Sequence, residues 1–127
     1  MESLSPNLMV ENVNQTVVFY EEVLGFQLVG CVPEEGVFNW AMMSNGNAVV
    51  MFQTRESLTE ELQYFENKPI GGTFTLYIKL KNIEDYFSKI KDKVQVLKHL
   101  DKTFYGSTEF SIADINGYVL TFAGADE

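Results

Sequence analysis

Laid on itself at an offset of 70 residues, this chain repeats its own pattern. Val10-Glu11-Asn12-Val13 falls on Leu80-Lys81-Asn82-Ile83, and Ala48-Val49-Val50-Met51-Phe52 falls on Tyr118-Val119-Leu120-Thr121-Phe122. A repeat of this size is one supersecondary unit. It cannot cover both faces of its own strands, so two units must pack together. At 127 residues the chain suits one domain built from two such halves.

Each half reads as βαβββ. Residues 4–10 form a first strand, Asn12 or Asn14 caps a helix over 15–24, and Gly25 is its left-handed stop. Val17, Tyr20 and Leu24 recur at helical spacing and predict the buried stripe. Strands follow at 26–31, 38–43 and 48–53, the last two joined by the turn Ser44-Asn45-Gly46-Asn47. Residues 54–72 read as a charged linker with a short helix over 56–65. The pattern then restarts with a strand over 73–80 and a helix from Ile83 to about Lys93, capped by Asn82, with Tyr86, Phe87 and Ile90 apolar. A strand over 94–97 and a hairpin around Asp114-Ile115-Asn116-Gly117 complete the second half. The expected class is α+β, with module 1 at about 1–53 and module 2 at about 73–127.

Charge narrows the partners. The net charge of −9 comes wholly from residues 1–67, where ten acids face Arg55 alone; residues 68–127 hold eight acids and eight lysines. Such a chain repels nucleic acid and anionic membrane and attracts cations. No apolar run reaches membrane-span length, and the start lacks a signal-peptide layout, so a cytoplasmic location is expected. Cys31 is the only cysteine, which excludes an intrachain disulfide. His99 is the only histidine, placed just after the sixth strand at an edge or surface. No histidine-based triad, His-rich metal site or phosphate loop can be assembled.

Three passages carry a resemblance: "VENVNQTVVFYEEVLGF" (10–26), its weaker copy "LKNIEDYFSKI" (80–90), and the ending "YGSTEFSIADINGYVLTF" (105–122). Together they resemble the vicinal oxygen chelate superfamily of glyoxalase I, bleomycin resistance proteins and extradiol dioxygenases. The resemblance implies two βαβββ modules whose curled mixed sheets enclose a cleft. It also implies four ligand positions in metal-dependent members, which fall here on Ser5, Met51, Thr75 and Thr121. Neutral hydroxyls are poor ligands beside imidazole or carboxylate, and Met suits only soft ions. No metal and no other cofactor is therefore expected.

Strand alternation assigns Asn7, Met51, Gln53, Thr75, Tyr77 and Thr121 to the implied cleft. Phe38, Trp40 and Met42 share a face on the third strand and are expected to point there too, while Ala41 and Met43 pack on the helix. Glu109 is placed at the rim, where it can meet a cation. Stacking rings, thioethers and a few amides and hydroxyls suit an organic ligand. The passage "EFSIADINGYVLTFAGADE" (109–127), the acidic balance and the aromatic strand look most like metal-free bleomycin resistance proteins, although Asp-Ile-Asn-Gly stands where that family usually has Asp-Pro-Asp-Gly or Asp-Pro-Ala-Gly. The resemblance implies a homodimer that sequesters a cationic or aromatic small molecule. The alternative is a glyoxalase-type lyase, isomerase or dioxygenase with an atypical metal site, and a third reading is a module whose cleft is filled by its own side chains.

Overall fold

A computed structural model describes residues 1–125. The acidic end of the resemblance passage, Asp126-Glu127, lies outside them. The described chain forms two compact units, the first ending at Ile70 and the second beginning at Gly71. The fold is α+β, with one four-stranded mixed sheet in each unit.

The first unit runs β1 (Asn7–Val10), α1 (Val13–Glu22), β2 (Gln27–Val32), β3 (Trp40–Asn45), β4 (Ala48–Thr54) and α2 (Arg55–Glu61), followed by a 3-10 turn at Gln63–Phe65. Its sheet order is β1-β4-β3-β2, with β1 parallel to β4 and the other pairs antiparallel. Asn12 caps α1, its side chain accepting from the Gln15 N–H at 2.9 Å. Gly25 closes the helix with φ +81°, a backbone state glycine adopts freely, and the Phe26 N–H returns to the Tyr20 carbonyl. Val17, Tyr20 and Leu24 are buried as expected. Tyr20 packs on Phe52 and Phe26, and Ala41, Met43, Val50 and Phe52 form the helix-facing side of the sheet.

The second unit runs β5 (Thr75–Lys79), α3 (Ile83–Ile90), β6 (Gln95–Lys102), β7 (Ser107–Ala113) and β8 (Val119–Ala125), in the order β5-β8-β7-β6. Phe110 and Phe122 stack at 5.0 Å, and Tyr86 and Phe87 of α3 close over them. Burial in this cluster pushes the Tyr86 phenol up to about 12. The hairpin turn keeps its form without proline: Asp114 Oδ1 accepts from the Asn116 and Tyr118 N–H groups, both at 2.9 Å. Ile115, in the slot proline usually takes, is exposed.

Four expectations need correction. Phe38 is not part of the third strand; its N–H donates to Asn14 Oδ1, which ties it to the first turn of α1, and β3 begins at Trp40. His99 lies within β6 rather than after it, because that strand runs on to Lys102 through two register shifts. Asn82 occupies the helix-start position with φ +58° and makes no side-chain capping bond; Glu84 and Asp85 complement the first turn instead. The offset of 70 holds for β1/β5 and β4/β8 but becomes 69 for β3/β7, since Trp40 pairs Gln53 whereas Glu109 pairs Ala123. One extra residue in the second hairpin turn causes the difference.

Gly124 packs tightly against the start of α3. A Cβ there would meet Ile83 Cγ2 at 2.9 Å, Ile83 Cβ at 3.0 Å and the Leu80 carbonyl oxygen at 3.2 Å. Gly124→Ala is expected to destabilise the fold by about 1–3 kcal/mol through overpacking. Urea unfolding followed by circular dichroism checks this, and an unchanged midpoint would contradict it.

Candidate functional site

Each sheet has one face under its long helix and one face away from it. On the helix-free face of the first unit, register places Asn7, Met51 and Met42 in one row and Met9, Gln53 and Trp40 in the next. Trp40, Met42 and Met51 are half-buried, leaving aromatic and thioether surface accessible. Gln53 is buried with its amide committed. Its Oε1 accepts from Asn7 Nδ2 at 2.8 Å, and its Nε2 donates to Ser57 and to Glu61 of α2 at 3.0 and 2.9 Å. Gln53 thus positions Asn7 and fixes α2, and both of its amide N–H donors are used in doing so.

The second unit is polar on its helix-free face. Tyr77, Thr121 and Ser111 form one row, next to the row of Ala123 and Glu109. Thr121 Oγ1 is hydrogen-bonded to Thr75 Oγ1 at 2.7 Å and to Ser111 Oγ at 2.8 Å, making a hydroxyl chain across three strands. Glu109 is only 6% exposed and is surrounded by hydroxyls. Its Oε2 accepts from Tyr77 at 2.5 Å, Tyr105 at 2.8 Å and Ser107 at 3.3 Å.

These contacts set the charge state. The Tyr77 hydrogen bond holds the Glu109 carboxyl below its ordinary value; burial pushes the other way, and Tyr105, Ser107 and the charge of Lys98 add to the lowering. Both phenols move up in return, chiefly because each donates to this anion. Glu109 is therefore a fixed negative charge near neutral pH.

The four ligand positions that the resemblance implies do not suit a divalent ion here. Ser5 precedes β1, Met51 offers a thioether, and the Thr75 and Thr121 hydroxyls are bonded to one another. Among the described residues, no three His, Cys, Asp or Glu side chains converge to hold a metal. A groove of about 1030 Å³ opens in the second unit, lined by Tyr77, Tyr105 and Ser107 together with the start of α3.

Of the residues singled out from sequence, Asn7, Trp40, Met42, Met51 and Gln53 share the first unit's helix-free face. Thr75, Tyr77, Glu109 and Thr121 share the second unit's, and Phe38 belongs to neither row. Tyr105, Ser107 and Ser111 were missed. For Ser107 and Ser111 the signal was the alternation Ser107-x-Glu109-x-Ser111 along β7, which puts them on the Glu109 side of the strand; Tyr105 lies in the turn before it and gave no such signal.

The Glyoxalase/Bleomycin resistance protein/Dioxygenase superfamily model matches residues 4–122. The chain belongs to this superfamily. Its sequence matches none of the curated proteins compared with it. Among solved structures, a protein from Agrobacterium tumefaciens str. C58 is similar at TM-score 0.83 and 18% identity, covering 99% of this chain and 95% of that one. A glyoxalase/bleomycin resistance protein/dioxygenase family enzyme from Burkholderia phytofirmans PsJN is similar at TM-score 0.79 and 17% identity, over 96% and 97%. TioX from Micromonospora sp. ML1 is similar at TM-score 0.78 and 16% identity, over 99% and 100%. At these identities the likeness is one of fold. No helix among the described residues is long and apolar enough to cross a membrane.

Tyr77 supplies the strongest hydrogen bond to Glu109, so Tyr77→Phe is expected to raise the Glu109 pKa toward its ordinary value. Because the native pKa is depressed, the stabilisation exists above the ordinary carboxylate range and is lost as pH falls through the lowered value. Carboxyl ¹³C NMR titration of wild type and variant reads the shift directly. An unchanged Glu109 titration would show that the phenol does not hold the anion.

Proposed function

We propose that this chain is a metal-independent binding protein of the bleomycin resistance type, which sequesters a cationic or aromatic organic molecule and does not turn it over. The observation that carries the reading is the hydroxyl chain Thr75–Thr121–Ser111. It commits two of the family's ligand positions to neutral hydroxyls bonded to each other. What remains for a ligand is non-covalent surface: the accessible Trp40, Met42 and Met51 in the first unit and the Glu109 cluster with its exposed tyrosine rings in the second. Stacking, thioether contact and one fixed anion favour an aromatic or cationic molecule. The excess of acid in residues 1–67 adds long-range attraction for such a ligand. The working form in this reading is a homodimer, as the family resemblance implies, in the cytoplasm.

The test is a calorimetric titration of metal-free bleomycin into protein treated with a chelator, with Trp40 fluorescence recorded alongside. As the only tryptophan, Trp40 reports on its own face without labelling. Saturable binding that survives the chelator, with quenching of Trp40, is the expected result. Stoichiometric zinc, nickel or iron in the purified protein, needed for binding or turnover, would replace this reading with the lyase, isomerase or dioxygenase alternative. Absence of heat and quenching with folded protein would remove bleomycin as a ligand.

A further inference from the structure

Three hydroxyl groups converge on one oxygen of one carboxylate. Tyr77, Tyr105 and Ser107 each have a single hydroxyl proton, and each donates it to Glu109 Oε2. None of the three then has a proton to give a ligand. They offer only oxygen lone pairs, and all three residues line the groove of the second unit. Glu109 Oε1 accepts no hydrogen bond from the described residues. No buried side-chain nitrogen or oxygen among them lacks a partner, so Oε1 keeps contact with solvent.

The cluster is held in place by the chain around it. Thr103 Oγ1 donates to the Ser107 carbonyl and accepts from the Ser107 N–H, both at 3.1 Å, which braces the β6–β7 turn that carries Tyr105. Tyr77 and Tyr105 are 49% and 58% exposed as residues. Charge at the groove is otherwise mixed: Lys79 and Lys81 are set against Glu84 and Asp85, and Asp85 pairs with Lys89 at 3.0 Å. Lys98 acts on Glu109 from β6. Immediately around Glu109 the three hydroxyls offer oxygen acceptors beside two half-exposed tyrosines, while Lys79, Lys81 and Asn82 line the rest of the groove.

We infer that this cluster recognises an organic cation that brings its own N–H donors, a primary ammonium or a guanidinium, and discriminates against quaternary ammonium, neutral and anionic groups. This rests on the reading of the chain as a small-molecule binder and specifies the chemical class. An N–H cation satisfies the acceptors and lies against the tyrosine faces. A quaternary ammonium has the charge but no protons, and so leaves the acceptors without partners at the contact.

The experiment is an NMR titration of the full chain with three probes sharing one ring: benzylammonium, benzyltrimethylammonium and benzoate. Glu109 carboxyl, tyrosine and Trp40 indole signals are followed together. Benzylammonium is expected to shift the Glu109, Tyr77 and Tyr105 signals saturably and to bind about 5-fold or more tighter than the quaternary probe. Glu109→Gln should weaken it about 10-fold. Tyr105→Phe, which removes only the hydroxyl of an exposed side chain and leaves the core intact, should weaken it a few-fold. Equal or tighter binding of the quaternary probe, preference for benzoate, or indifference to Glu109→Gln would each overturn the inference. Probes that shift Trp40 alone would overturn it while leaving the small-molecule reading standing. Silence at both places from every probe would overturn it too, and the small-molecule reading would fall only if the bleomycin titration were also silent.

Discussion

A four-stranded sheet has two faces, and each unit of this chain lays one long helix on one of them. Everything polar about the protein follows from what is left over. Tyr20 in α1 and the Tyr86–Phe87 pair in α3 cover Phe52 and the Phe110–Phe122 stack. Apolar burial of that kind supplies the main driving force for each unit. The opposite faces are released from core duty and carry residues that a dry interior would exclude. In the first unit that freedom is used for a tryptophan and two methionines, and in the second for a carboxylate among hydroxyls.

The two faces have diverged from a shared plan. Trp40 and Glu109 occupy equivalent places, each opposite the same point of the last strand in its unit. One presents a large ring, the other a buried anion. Met51 and Thr121 are likewise equivalent, and neither supplies a charged metal ligand. An ionised carboxylate survives at Glu109 because three hydroxyl donors replace water around one of its oxygens. Strand alternation delivers Ser107 and Glu109, and the β6–β7 turn brings Tyr105 back onto them. Tyr105, Ser107 and Glu109 lie two apart along the chain and are bonded to a single oxygen, and only Tyr77 comes from another strand.

The architecture was legible because its signals were strong: apolar periodicity in α1, asparagine and glycine at its ends, and a repeat that fixed element order. The parity of β4 and β8 followed from the ligand positions that the family resemblance implies, which the repeat relates to one another. What sequence hid were local hydrogen bonds that override pattern. Asn14 draws Phe38 out of the third strand. Two register shifts let Lys98, Asp101 and Lys102 extend β6 beyond residue 97, where the sequence pattern ends the strand. The role of Gln53 was also invisible, since its partners Ser57 and Glu61 lie in what read as a linker. Glu109 was noticed as an acid near the rim, but its hydroxyl cage required knowing that the β6–β7 turn folds Tyr105 back onto it.

The central claim is that one ionised carboxylate sets the proton arrangement of the second unit's open face. Residue-resolved titration of ¹³Cζ-labelled tyrosines in wild type and Glu109→Gln tests it most directly. Tyr77, Tyr105 and Tyr86 should all titrate above the ordinary phenol value in the wild type. In the variant Tyr77 and Tyr105 should fall back toward that value, while Tyr86, raised by burial alone, stays near 12. Tyr77 and Tyr105 curves that do not move on loss of the Glu109 charge would contradict the account.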